Sequence, residues 1–371
     1  MEERLWWIAL YLVPGIGEKL FKRLIDHFDS PRKIFNASMK DLEMVKGISK
    51  EIADKIKSFD MGKTLKKELE LVNKNNVNIV ILKDKKYPKN LRTIFDPPPL
   101  LYVKGELKKE DDFSISIVGT RTPTRYGKLT AERLAWELGS QGLTIVSGMA
   151  KGIDSYAHEG ALSSGGRSIA VFGSGLDVVY PPENKKLMNK IIDNGAILSE
   201  FPMQTRPNRE NFPIRNRIIS GISLGTVVVE AASRSGSLIT AKLALEQGRE
   251  VFAVPGNINS GKSKGTNSLL KLGAKLVEGI DDILEELRPQ LSLYPEKKVK
   301  NQSCLIKKSK SERLTEEEEK ICSLIGDEGK HIDSIIIESL LPSNKVASIL
   351  AKLELMGIIK QYSGKMFFRN H

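Results

Sequence analysis

The chain has 371 residues, with 58 Lys+Arg against 46 Asp+Glu and a formal net charge of +12. That length holds two or three domains, and the basic surplus either favours polyanionic partners or simply solvates the surface. Two distant cysteines, Cys304 and Cys322, give no disulfide framework, four scattered histidines argue against a zinc site, and no apolar run nears the ~20 residues of a membrane span, so a cytoplasmic protein is expected.

Residues 1–75 read as a helical domain containing a repeat. Val13-Pro14-Gly15-Ile16-Gly17 opens a helical pattern through Leu20, Phe21, Leu24 and Ile25, and Val45-Lys46-Gly47-Ile48-Ser49 opens another through Ile52, Ala53 and Ile56. A glycine turn between short helices is the pattern of a helix-hairpin-helix, or SAM-like, domain. Such a turn can offer backbone N–H groups to a DNA phosphate, or the glycines can serve only the tight bend.

Residues 76–288 alternate strand, glycine loop and helix. The strands read as Asn78–Leu82, Leu100–Val103, Ile115–Val118, Leu143–Val146, Ser168–Phe172, Ala196–Leu198, Thr226–Val229, Glu250–Val254 and Ala274–Val277. Helical patterns at Ala131–Gln141, Asn184–Asp193 and Leu238–Gln247 lie between them. Apolar runs without alternation indicate strands buried on both faces, hence an α/β fold with an extended Rossmann-like parallel sheet. Residues 289–314 carry Lys297, Lys298, Lys300, Lys307, Lys308 and Lys310 and read as a flexible basic linker. In residues 315–371, Thr315-Glu316-Glu317-Glu318 is a capping box, helices follow near His331 and Pro342, and a hairpin is expected around Ser363-Gly364. Three helices and a β-wing predict a winged helix.

Several strands of the α/β domain end in small residues beside a base. In a parallel sheet such loops converge at the carboxyl ends of the strands, where glycines admit a ligand and helix starts attract anions. The candidates are Gly119-Thr120-Arg121, Ser147 and Gly148 with Lys151, Gly173-Ser174-Gly175, Phe212 with Arg215-Asn216-Arg217, and Ser235-Gly236. Arg121, after a strand-ending Gly-Thr, is expected to bind phosphate. Alternate residues on a helix do not share a face, so one of Arg215 and Arg217 is expected to bind DNA, with Arg215 and Asn216 favoured, and the other to pair internally. Asp154 and His158, four apart, match acid–base spacing, but Asp154 reads as a helix cap and His158 has no nucleophile partner; no catalytic residue, metal or cofactor is expected. Glu230 either meets a ribose hydroxyl or ties down Arg234 and backbone, and the second is favoured. Phe201 and Phe212 are candidates for an aromatic lip.

The ordered set Gly119-Thr120-Arg121, Ser147-Gly148-Met149-Ala150-Lys151-Gly152-Ile153-Asp154, Gly173-Ser174-Gly175-Leu176-Asp177, Tyr180-Pro181, Phe212-Pro213-Ile214-Arg215-Asn216-Arg217, Arg234–Thr240 and Val254-Pro255-Gly256 closely resembles the DNA-processing protein A family, also called DprA or Smf. The resemblance implies a non-enzymatic protein that binds and protects single-stranded DNA, dimerises, and loads the RecA recombinase during natural transformation. It places Arg121 in the DNA pocket. Pro182 stands where some members carry a lysine, and Lys185 is the substitute basic position. The resemblance also puts a dimer interface on the Gly265–Leu270 helix and the segment after it, with Leu269, Leu270 and Leu276 as its apolar candidates. The alternative is a nucleotide-processing enzyme like the phosphoribohydrolase Rossmann group, since Gly225–Glu230 is similar to its Gly-Thr-x-x-Glu element with one residue more. The Pro-Gly-Gly that precedes that element in the group is absent here. The winged helix carries Lys345 and Lys352 but also Glu338 and Glu354, which suits a protein contact or regulation at least as well as duplex reading.

Overall fold

A computed structural model describes residues 3–291, 315–325, 329–355, 358–362 and 365–369. The predicted linker from 292 onward, Cys304, and the hairpin turn at Ser363-Gly364 lie outside the described residues. The chain divides into two compact units, Met1–Lys297 and Lys298–His371.

In the first unit, nine strands form one sheet: β1 (Asn78–Ile81), β2 (Leu100–Gly105), β3 (Ser114–Val118), β4 (Thr144–Ser147), β5 (Ser168–Val171), β6 (Gly195–Ser199), β7 (Gly225–Val228), β8 (Glu250–Ala253) and β9 (Lys275–Leu276). Their order is β1-β2-β6-β5-β4-β3-β7-β8-β9. From β6 to β9 every pairing is parallel, while β1 and β2 are antiparallel additions beside β6. Each predicted strand is present to within a residue or two. The sheet departs from all-parallel at β2, which runs against both β6 and β1 and is joined to β1 through the short Lys89–Arg92 helix and Asp96-Pro97-Pro98-Pro99.

The chain runs from β3 to β4 on one side and returns to β7 on the other, so strand order reverses at β3/β7. Ligands of open α/β sheets bind at the carboxyl end of this switch. Alternate side chains of β3 face opposite layers. Ile115 and Ile117 join Ala131, Leu134 and Leu138 of the Arg125–Ser140 helix, and Val118 joins Ile218 and Ile219 of the Asn211–Ile222 helix. The small hydroxyls between them are satisfied within the sheet, as where Ser116 donates to Thr226 at 2.7 Å.

The N-terminal helices share a core with this sheet. Trp7, Phe21, Leu24 and Ile56 pack in one buried cluster with Tyr102, Met149, Phe172 and Met188. Both hairpin glycines adopt left-handed backbone, Gly15 at φ 95° and Gly47 at φ 94°. The two turns differ at their helix starts. Ser49 caps the Lys50–Lys57 helix through Ile52 N–H, whereas Gly17 leaves the Glu18–Phe28 helix without a side-chain cap.

The second unit has helices Glu316–Leu324, Ile332–Ser339 and Ser343–Leu355 and strands Lys330–His331, Ile359–Tyr362 and Met366–Arg369. The expected capping box is present, with Thr315 and Glu318 exchanging hydrogen bonds. Its strands form an antiparallel three-stranded sheet, the wing of a winged helix.

Candidate nucleic-acid interface

The carboxyl ends of β3, β4 and β5 bring three loops together. Gly152 has a φ of 84°, and a Cβ there would strike the Thr120 carbonyl and the Arg121 backbone. Only glycine lets the loop after β4 press against the loop after β3. Met149 in the same loop also has positive φ, 58°, which is uncommon for a residue with a side chain. Asp154 holds this conformation by accepting from Gly148 N–H at 3.1 Å and Ala150 N–H at 3.3 Å. Asp154 therefore braces the loop instead of capping its own helix as expected. Burial raises its pKa, and the neighbouring charge of Arg215 opposes that rise.

Arg121 is exposed, and its guanidinium stands over the Phe212 ring. Among the described residues it has no ion pair. Phe212 also meets Tyr180, ring centroids 5.7 Å apart, and Gly173 lies against its ring with no room for a side chain. Tyr180 is 44% exposed, so it and Phe212 form an open aromatic surface beside Arg121. Sequence reasoning had Phe212 in a possible lip but not Tyr180; its place before Pro181 in a shared motif was the available signal. Phe201 is half-buried.

Lys151 is exposed and pairs with Glu183 at 2.6 Å, a partner the sequence did not indicate. An ion pair so open to water contributes little, and a phosphate can replace its carboxylate. Lys185 is exposed at the start of the Lys185–Asp193 helix. Asn184 ties that helix to the Met149 carbonyl at 2.8 Å, which brings Lys185 to the Lys151 side of the crevice. Thr120 is half-buried, and its N–H donates to the Glu230 carbonyl.

Arg215, Asn216 and Arg217 are all buried, so the expected internal pairing holds for Arg217 while the preference for Arg215 and Asn216 as DNA contacts is corrected to internal roles. Arg215 donates to the carbonyls of Gly148 and Val171 and to Asn216 Oδ1. Burial brings its pKa down to about 10, with Asp154 opposing the fall, so it stays cationic under the crevice floor. Asn216 reaches the Gly236 carbonyl. Arg217 makes a two-pronged pair with Glu200, at 2.5 and 2.8 Å, and a further contact with Asp96 at 3.4 Å. Burial alone would lower its pKa, but the Glu200 charge and hydrogen bonds hold it above the usual value. The helix does split the two arginines, yet both are buried, and its exposed positions are Pro213 and Ile214.

Ser147, Gly148, Gly173, Ser174 and Gly175 are likewise buried and shape the floor. Ser147 donates to the Ile117 carbonyl and Ser174 to that of Val178. Ser235 caps the Gly236–Glu246 helix, and Gly236 is exposed at its start. His158 is fully buried, bonded through Nδ1 to Ser168 at 2.7 Å, and burial pushes its pKa down to about 3. Glu230 ties down backbone as expected, but at Thr124 and not at Arg234. A cavity of about 410 Å³ beside Asp84 and Lys86 opens near the amino end of β6, away from these loops.

This loop order on this sheet has known counterparts. A family model described as DNA recombination-mediator protein A matches residues 78–288. The chain belongs to this family, DprA/Smf. Within DprA/Smf chains, models for a SAM-like helix-hairpin-helix tandem and a DprA winged helix domain match residues 9–59 and 307–365. Protein Smf of Synechocystis sp. is 34% identical over 393 residues, covering 99% of both chains. DNA processing protein DprA of Streptococcus pneumoniae is 46% identical over 54% of this chain and 71% of its own. A crystal structure of the S. pneumoniae protein aligns with TM-score 0.68 at 35% identity, over 77% of this chain and 99% of that one. A Helicobacter pylori DprA structure, described as giving insight into a unique single-stranded DNA binding mode, aligns with TM-score 0.52 at 34% identity over 58% of this chain and 98% of that one.

The DprA/Smf leucines named above separate in the structure. Leu269 packs onto the sheet core and Leu270 is half-buried, while Leu276, on edge strand β9, is 43% exposed. Leu272, which the sequence did not single out, ends the Lys264–Lys271 helix and is 80% exposed.

Proposed function

We propose that this chain is a non-enzymatic, cytoplasmic recombination mediator that binds single-stranded DNA across the loops after β3, β4 and β5. In this reading it acts as a homodimer, protects DNA taken up in natural transformation and passes it to the RecA recombinase. The observation that carries the reading is Arg121, an exposed guanidinium set beside an open aromatic pair and lacking an internal anion. Lys151 and Lys185 extend the positive charge, and the aromatic rings suit unpaired bases, which present a face to stack on. The H. pylori relative, whose structure is described in terms of single-stranded DNA, points the same way. The buried arginines support the reading by stiffening the floor, so that the loops need not reorganise to accept phosphates. His158 and Asp154 are both buried, which takes the one acid–base spacing in the sequence away from the phosphoribohydrolase alternative. For the dimer, Leu272 at the end of the Lys264–Lys271 helix and Leu276 on the β9 edge are the apolar candidates, with the half-buried Leu270.

The test is a binding titration of the full chain with single strands and duplex of one sequence over a range of salt. Preference for the single strand, with affinity falling as salt rises, is expected. Equal or better binding of duplex, or release of free base from nucleoside monophosphates, overturns the reading.

A further inference from the structure

The switch point at β3/β7 is where this fold usually receives the phosphates of a nucleotide, on the N-terminus of the helix that follows the first switch strand. Here that helix is Arg125–Ser140, and its N-terminus is already in use. Glu230, at the carboxyl end of β7 and only 3% exposed, aims its carboxylate at it. Oε2 accepts from Thr124 N–H at 2.9 Å and Oε1 from the Thr124 hydroxyl at 2.5 Å. The same hydroxyl accepts from Gly127 N–H at 3.1 Å, and Gly127 has no side chain to displace the carboxylate. Beside the carboxylate a cavity of about 480 Å³ remains, bounded by Thr124, Tyr126, Pro255, Asn257 and Ser260. Among the described residues no lysine or arginine lines it. The nearby Lys262 ammonium is engaged by the Thr122 carbonyl.

We infer that Glu230 is a specificity-determining residue whose carboxylate fills the phosphate position of the fold, so that free nucleotides are refused there. A phosphate brought to this place meets the Glu230 carboxylate and finds the Thr124 and Gly127 N–H groups already engaged. Arg121, in the same loop, lies over Phe212 and is left for a polynucleotide backbone. The inference rests on the strand topology and on Glu230, not on single-strand binding.

The experiment follows thermal unfolding and isothermal titration of the full chain with inorganic phosphate and with ADP. Wild type, whose open Arg121 side is expected to hold single anions only weakly, is expected to show no millimolar binding of either. Glu230→Ala empties the anion position and is expected to bind phosphate with a millimolar Kd, raising its melting temperature by about 3 °C at ten times Kd. Glu230→Gln, which fills the same space and still accepts from Thr124, is expected to show no gain. A merely structural role moves stability in Glu230→Ala but creates no phosphate site, so a folded alanine variant that ignores phosphate overturns the inference. Wild type that binds ADP as well as the alanine variant does also overturns it. If Glu230→Ala is insoluble, Glu230→Ser is used, and recovery of either variant in phosphate or acetate is expected; failure of both to recover counts against the inference. Single-strand titration of wild type fails or succeeds independently of these readings.

Discussion

The Arg121 guanidinium lies 5.5 Å from the centroid of the Phe212 ring. A cation held over a ring face keeps its orientation while its N–H groups remain open to an anion. The pair therefore presents a phosphate donor and a base-stacking surface within one nucleotide's reach.

Replacing Arg121 with alanine is expected to weaken single-strand binding without changing the melting temperature. One lost phosphate contact flattens the log–log salt slope by about 0.7. Phe212→Ala should cost about 1–3 kcal/mol per stacked base while leaving that slope unchanged. Titrations at four salt concentrations separate the two effects, and a wild-type slope for Arg121→Ala removes it from the interface.

Arg217→Ala should behave in the opposite way. It leaves Glu200 buried without its partner, and breaking a buried pair on one side costs about 3–5 kcal/mol of stability. Urea unfolding should show the loss, whereas the salt slope of the protein that remains folded should match wild type. A flattened slope with unchanged stability would return Arg217 to the DNA surface.

His158 makes stability depend on pH. Its pKa falls to about 3 in the folded chain, chiefly from burial and secondarily from the Arg215 charge. Against an unfolded value near 6.5, the unfolded state binds the proton first. Stability is then full above about pH 6.5 and falls towards pH 3, by at most about 1.4 kcal/mol per unit. Unfolding midpoints of wild type and His158→Asn, compared at pH 7 and pH 5, should differ more at one pH than at the other, with the variant gaining on wild type at pH 5. A constant difference would contradict a neutral buried imidazole.

Most of the sheet was legible because its strands are short apolar runs closed by glycine loops, a pattern set by local sequence. Arg121 was legible for the same reason, standing directly after a strand end. The internal role of Arg215 was not, and for Arg217 internal pairing was expected but its partner was not. Their partners, the Gly148 and Val171 carbonyls for one and Glu200 for the other, come from distant loops that only the fold brings near. Asp154 misled in a related way: a carboxylate at a helix start normally serves that helix, but here the strained Met149 loop competes for it and wins. Leu272 escaped notice because an exposed leucine has no periodic signature.

Leu272→Glu with Leu276→Glu is expected to yield a folded monomer. Leu272 is largely exposed and Leu276 is 43% exposed, so the change should not disturb the core, but across an interface it buries unpaired charge at a cost of several kcal/mol. A micromolar dimer has only about 8 kcal/mol to lose. Light scattering gives the mass, and long oligonucleotides should lose more affinity than short ones, since linked sites gain avidity on one strand. A variant that remains dimeric moves the interface elsewhere.

The cluster joining Trp7 and Phe21 to Met149 and Phe172 ties the helix-hairpin-helix segment to the back of the crevice floor. Cutting the chain before β1 would lay bare an oily wall, and the stump would be expected to aggregate. A shorter relative that dispenses with these helices must dress the same wall differently, with polar side chains at the positions of Leu176, Met188 and Met203 or with a replacement cover. Those three positions tell, from sequence alone, whether a trimmed member of the family was built to stand without its front end.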